Sequence, residues 1–178
     1  MSLLMLPSMS FGADSSDKEM TLVLRAGYTS LSDVSPTGSG VGFGFDSSFA
    51  AFGDFGLGGI YYHLDSNESL TAGTSTTDFS RSFNVLAIAP YYDLAKGKMR
   101  ANIGVLGGAM LTSVKSKTRH VSNETSASGT SAALGFFVSA NVGIAGPVFF
   151  QLKGDYIKST GATKMGMLTA GGGIGFYL

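Results

Sequence analysis

Residues 133–156 read ALGFFVSANVGIAGPVFFQLKGDY, and the fold turns on the alternation in this stretch. Leu134, Phe136, Val138, Ala140, Val142 and Ile144 fall on one side of an extended chain, while Ala133, Gly135, Phe137, Ser139, Asn141 and Gly143 fall on the other. The wider charge-free run 126–152 is long enough to cross a bilayer as a helix, which needs about 20 predominantly apolar residues. Gly135, Asn141, Gly143 and the pair Gly146-Pro147 break it, however, and its apolar residues recur every second position instead of at helical spacing. The stretch therefore predicts a strand with one apolar face, a tight turn at Ala145-Gly146, and a second strand with Val148, Phe150, Leu152 and Tyr156 opposite Phe149, Gln151, Lys153 and Asp155.

The same parity extends in both directions. Leu168, Ala170, Gly172, Ile174, Phe176 and Leu178 oppose Met167, Thr169, Gly171, Gly173, Gly175 and Tyr177. Upstream, Met99, Ala101, Ile103, Val105, Ala109 and Leu111 oppose Arg100, Asn102, Gly104, Gly108 and Thr112. Near the start, Leu22, Leu24, Ala26 and Tyr28 oppose Thr21, Val23, Arg25 and Gly27. Less regular strands are expected at 38–46, where Val41, Phe43 and Phe45 face outward, at 54–65, and at 80–94, which is apolar on both faces. The expected set is 20–31, 38–46, 54–65, 80–94, 98–116, 132–144, 147–158 and 165–178. The Gly/Ser/Thr-rich segments 66–79 and 117–131 read as long loops, whereas 95–97 and 145–146 read as short turns.

Composition says what the apolar faces meet. Of the 178 residues only 13% are charged, with 26 Gly, 13 Phe and 7 Tyr, and mean hydropathy is positive. A water-soluble domain carries about 25% charge, so much of this surface is expected to face lipid. Backbone N–H and C=O groups find no partner in lipid, so a membrane sheet must close on itself. An even number of strands with alternating short turns and long loops is the pattern of outer-membrane barrels. The fold expected is thus all-β: a membrane-spanning, antiparallel, up-and-down eight-stranded β-barrel. At eight strands the interior is filled by side chains, which argues against a general porin. A soluble eight-stranded carrier of lipocalin type would need its charge outside, and charge here is too scarce for that.

Residues 1–13, with the apolar run 3–9 followed by Ser10-Phe11-Gly12-Ala13, read as a signal-peptide remnant, and residues 14–178 as a single barrel domain. Lys plus Arg equals Asp plus Glu at 12 each, so no net field favours nucleic acid. The lack of cysteine excludes thiolate catalysis, thiolate-bound zinc and disulfides.

The terminal sequence Gly171-Gly172-Gly173-Ile174-Gly175-Phe176-Tyr177-Leu178 resembles the last strand of outer-membrane barrels, with Gly173, Phe176 and Leu178 as the matching residues and Leu178 in place of the usual final Phe. Together with the strand count, the chain resembles the small barrels of the OmpA/OmpX type. The resemblance implies a bacterial outer-membrane location and recognition of the last strand by the barrel-assembly machinery. It also implies contact with outer-membrane lipid and lipopolysaccharide, and a host or environmental surface ligand for the loops.

Candidate sites are few. Arg25, Arg100, Asn102, Asn141, Gln151, Lys153 and Asp155 share the inward parity and are expected to form a lumenal polar network, since buried charges must pair or be hydrated. His120-Val121-Ser122-Asn123 resembles the signature of outer-membrane lipid A deacylases, but no Glu follows Glu124 to orient the histidine. His63, in Tyr61-Tyr62-His63-Leu64-Asp65, reads as an interfacial girdle residue. Asp65, Asn67 and Glu68 lack the Gly and distal Glu of a calcium loop. The runs 56–59 and 171–175 lack the Gly-Lys-Ser/Thr ending of a phosphate loop. No catalytic residue, metal or cofactor is expected. The function expected is structural or adhesive, through the loops. The alternatives are a narrow channel for small or apolar molecules, as in OmpW-type barrels, and a lipid-modifying enzyme.

Overall fold

The computed structural model describes residues 20–95, 99–119, 121, 124–161 and 164–178. The signal-like segment 1–13 lies outside them. The strands are β1 (Met20–Ser32), β2 (Ser39–Phe52), β3 (Phe55–Ala72), β4 (Ser75–Ala95), β5 (Met99–Thr118), β6 (Glu124–Ala145), β7 (Val148–Thr160) and β8 (Gly166–Tyr177). Each pairs antiparallel with its sequence neighbours, and β1 pairs with β8 from Thr21↔Tyr177 to Ser32↔Gly166, which closes the ring.

Alternation assigns the two faces as the sequence reading expected. Leu24, Val41, Phe43, Leu86, Ile88, Val105, Leu134, Phe136, Leu152 and Leu168 are each more than half exposed and point outward. A soluble monomer rarely exposes a contiguous apolar patch beyond a few hundred Å², so a belt contributed by every strand is a lipid-facing surface. Rings cluster toward its two rims, with Phe52, Phe55 and Tyr92 at the short-turn end and Tyr28, Phe43 and Tyr61 toward the other. Such aromatic girdles mark the two interfaces of a membrane.

Inside, the wall made by β3, β4 and β5 is apolar: Ile60, Tyr62, Leu64, Phe83, Val85, Leu106 and Met110 are buried together. This explains why 80–94 reads as apolar on both faces: one face meets lipid and the other meets this packing. Glycine on β2 makes room for the largest residue in the lumen. A Cβ at Gly42 or Gly44 would strike Tyr62, which is fully buried.

Two expectations about loops fail. Segments 66–79 and 117–131 are strand over most of their length: β3 and β4 pair up to Ala72↔Ser75, and β5 and β6 pair up to Lys117↔Glu124. Strands β3 to β6 run 18, 21, 20 and 22 residues, against 13, 14, 13 and 12 for β1, β2, β7 and β8. Four strands therefore continue as one sheet beyond the ring. Seven extra residues at about 3.3 Å each, tilted as barrel strands are, carry it roughly 18 Å further. In water both faces of a sheet can be polar, so the Ser/Thr-rich sequence shows no hydropathy alternation there. Strand β2 also runs past the expected Asp46 to Phe52, with a bulge between Ala50 and Phe52.

Gly42→Val tests the packing of the lumen. Overfilling a dense core costs about 1–3 kcal/mol, so the urea midpoint of the refolded variant should fall while that of Gly129→Ala, which meets nothing within 4 Å, stays put.

Candidate functional site

Three of the seven polar residues expected in the lumen meet at its centre, together with one the sequence reading passed over. Arg25 on β1 donates from Nε to Asp46 Oδ1 (3.2 Å) and from Nη1 to Asp155 Oδ2 (2.6 Å), and Lys153 Nζ donates to Asp46 Oδ2 (2.7 Å). Both cations also lie over rings, Arg25 above Tyr62 at 4.7 Å and Lys153 above Phe137 at 4.6 Å. Two cations and two carboxylates are thus buried as a neutral group, the arrangement in which buried charge is tolerated. Asp46 was legible: the outward parity of Val41, Phe43 and Phe45 puts it inside, and register sets it beside Val23, two residues from Arg25.

The other expected residues occupy separate positions. Gln151 Nε2 donates to Asn141 Oδ1 at 3.1 Å, one layer nearer the short-turn end. Arg100 stacks over Tyr177 at 4.9 Å near the same end, and Asn102 lines a cavity shared with Asp46, Tyr91, Phe137, Gln151 and Lys153. That cavity measures about 30 Å³, room for one or two waters. On its other side the charged group is backed by hydroxyls, with Thr29 within 3.0 Å of both Tyr62 Oη and Thr169 Oγ1. Charge, hydroxyls and the apolar wall fill the cross-section. Gly173, Phe176 and Leu178, the residues expected to form a terminal signal, lie on β8 or directly after it, with Gly173 inside and Phe176 and Leu178 outside.

The protruding sheet is the second feature. On its outward face Arg119 grips Asp78 with two bonds, Nε and Nη2 each at 3.0 Å, while Ser69 donates to Asp78 at 2.6 Å. Those bonds from Arg119 and Ser69 hold the Asp78 carboxyl below the ordinary aspartate range, and Arg119 is raised in turn. On its inward face Arg81 donates to the carbonyls of Pro36 (2.7 Å) and Ser35 (2.9 Å) and approaches Glu68 at 3.4 Å. Arg81 thereby straps the β1–β2 connection onto β3 and β4. Burial raises the Glu68 carboxyl above its ordinary range, opposed by Arg81.

The chemical motifs separate. His120, Ser122 and Asn123 of the deacylase-like run lie outside the described residues. His63 bonds Asn84 Oδ1 through Nδ1 (2.9 Å) and Asp65 Oδ2 through Nε2 (3.2 Å), so both ring nitrogens are engaged and neither is turned to a serine hydroxyl. Its ring packs on Phe43, at the rim of the lipid belt. Asp65 and Asn67 face outward while Glu68 faces inward, so the three expected calcium-type ligands do not converge. Among the described residues no group of three His, Asp or Glu side chains could hold a metal ion. The glycine runs 56–59 and 171–175 are strand.

No protein family's sequence profile matches the chain, and no curated protein matches it in sequence. Solved structures do. The attachment invasion locus protein Ail of Yersinia pestis, crystallised with the heparin analogue sucrose octasulfate, aligns with a TM-score of 0.60 at 14% identity, covering 90% of this chain and 99% of Ail. Neisserial surface protein A gives 0.56 at 11% identity, covering 88% and 96%. The N-terminal β-barrel domain of Pseudomonas aeruginosa OprF gives 0.54 at 12%, covering 91% and 100%. The chain has the fold of the small eight-stranded outer-membrane β-barrels.

Two outcomes test the site. Asp46→Ala leaves Arg25 and Lys153 short of a partner, and breaking a buried ion group in this way costs about 3–5 kcal/mol; urea unfolding in bilayers should show a large drop, and an unchanged midpoint would contradict the pairing. For Asp78 the folded value lies below the unfolded one. Its contribution is therefore present above the ordinary aspartate range and lost as pH falls through the depressed value. A carboxyl NMR titration should show that depressed midpoint moving back up in Arg119→Gln.

Proposed function

We propose that this chain is a non-enzymatic outer-membrane barrel that anchors a rigid, water-exposed sheet at the cell surface, and that the sheet makes contact with a host or environmental surface. The observation that carries this is the inequality of strand lengths. The lipid belt is satisfied by strands of 12 to 14 residues, as β8 and β2 show, yet β3 to β6 continue well beyond it. Ordering that many residues costs about 1–2 kcal/mol each in backbone entropy, a cost that short turns would avoid. The extension is also held in place by side chains: Arg119 and Ser69 bond Asp78, and Ser80 bonds Asn67 at 2.8 Å.

The fold supports this reading, since its solved examples include a protein named for attachment and invasion. Transport is disfavoured by the filled cross-section, where the space beside the charged group amounts to about 30 Å³. In the membrane the barrel would touch phospholipid and lipopolysaccharide through its belt, and the β8 residues Gly173 and Phe176, with Leu178, would serve its assembly.

The test is adhesion of cells displaying the barrel to immobilised host matrix. A variant whose hairpins are cut back to the Asp65/Ser82 and Ser113/Ser128 pairs should still show heat-modifiable migration but adhere no better than cells without the barrel. Adhesion equal to that of the full-length chain would overturn the proposal.

A further inference from the structure

The methionines among the described residues divide into two sets. Met20 and Met99 are exposed, whereas Met110, Met165 and Met167 are buried, and all three belong to one cluster with Leu31, Leu64, Phe83 and Ile157. Register places them on the protruding-sheet side of Thr29 and Thr169. Met167 on β8 lies between Leu31 and Ile157, and Met110 on β5 lies between Val85 and Ser131. Met165 and Met167 are two residues apart and both buried, the spacing that sets two side chains on one face of an extended chain. Strands β6 and β7 separate β8 from β5 around the ring, so this pair and Met110 project from different walls into a bore narrow enough for side chains to fill.

Packing alone does not call for sulfur here. Leu and Ile fill such space in better-defined rotamers, and Met, with its flexible side chain, serves best as an isolated gap filler. Three thioethers gathered in one cluster make a donor set, because soft, polarisable sulfur selects ions such as Cu(I) and offers little to magnesium or calcium, which take oxygen. The cluster also has an entrance. A cavity of about 260 Å³ at the extracellular mouth reaches Met165 and is lined by the hydroxyl-bearing residues Thr112, Ser131 and Ser159. Met165 is fixed at that point through its backbone: its N–H donates to Ser159 Oγ (3.0 Å), and its carbonyl accepts from the Ser159 N–H (2.8 Å). Deeper in the bore, the hydroxyls of Thr29, Tyr62 and Thr169 and then the charged group block the way to the other end.

We infer that Met110, Met165 and Met167 form a capture site for a soft monovalent cation of the Cu(I) or Ag(I) class, which enters from the extracellular mouth. The thioether sulfurs supply the bonds, and the ring of Phe83, buried in the same cluster, offers a cation–π face. Binding transfers no electron and releases no proton, since a thioether has none to lose. Thr112, Ser131 and Ser159 offer oxygen to the ion as it sheds water on the way in. The filled bore beneath makes the site a dead end, so it holds the ion instead of passing it. The inference goes beyond the surface-contact reading and does not depend on it.

The experiment uses the full barrel in lipid nanodiscs, in chloride-free buffer, with isotopically labelled methionine methyls observed by NMR and silver nitrate as the probe. A single equivalent of Ag(I) should shift the methyl signals of Met110, Met165 and Met167 together and leave those of Met20 and Met99 in place, while calcium and zinc shift none of them. The double variant Met165→Leu/Met167→Leu, a swap that keeps side-chain volume, should weaken Ag(I) binding on the order of a hundredfold with heat-modifiable migration unchanged. Should that variant fail to refold, the single variant Met110→Leu takes its place, with a loss on the order of tenfold read from the methyls of Met165 and Met167. The inference is overturned by silver that leaves the three signals unmoved, by equal shifts at Met20 and Met99, by a response of Met165 alone, or by a refolded leucine variant that binds Ag(I) as tightly as the unsubstituted chain.

Discussion

Everything in this molecule stems from the need to give each backbone N–H and C=O a partner where water cannot reach. An unsatisfied backbone group in hydrocarbon costs several kcal/mol, and an open sheet would expose a whole row of them. The β1–β8 ladder, twelve register pairs from Thr21↔Tyr177 to Ser32↔Gly166, removes the edge within the lipid belt. Once the ring is closed, alternation leaves only two places for a side chain, lipid or lumen. Low charge content is the consequence, because about half of every strand faces hydrocarbon.

Closure at eight strands fixes a narrow bore, and the bore dictates the interior. Large side chains fit only where neighbours are small, hence Gly42 and Gly44 beside Tyr62, and Gly175 beside the ring of Phe149. Charge enters only as a neutral group, Arg25 and Lys153 against Asp46 and Asp155, each side chain less than a tenth exposed. These contacts tie β7 to β1 and β2 across the bore, strands far apart in sequence. Above the belt the constraint relaxes, water satisfies an open edge, and β3 to β6 extend without closing.

Parity in the belt was legible from the sequence because lipid on one side and packing on the other impose a two-residue period. The hairpin around Ala145-Gly146 and the terminal strand came through in this way. Segments 66–79 and 117–131 did not, since a sheet wetted on both faces needs no apolar period, and Ser, Thr and Gly then look like a loop. Asp46 escaped because 47–52 mixes Ser, Phe and Ala and ends in a bulge, so the strand seemed to stop at the carboxylate. Arg25, Lys153 and Asp155 were placed on the right face, but parity alone could not tell which would meet. That Arg100 stacks on Tyr177 instead of joining the central group depends on strand stagger, which composition does not encode.

Amide hydrogen exchange of the full chain in lipid nanodiscs probes the central claim, a ring without edges in lipid that continues as a four-stranded sheet in water. The account predicts strong protection throughout the belt, including both sides of the β1–β8 seam. It also predicts measurable protection of 66–72, 75–80 and 111–118, with alternating fast and slow amides over 124–130. Fast exchange along the β1–β8 seam, or uniform loop-like exchange of 66–79 and 117–131, would contradict it.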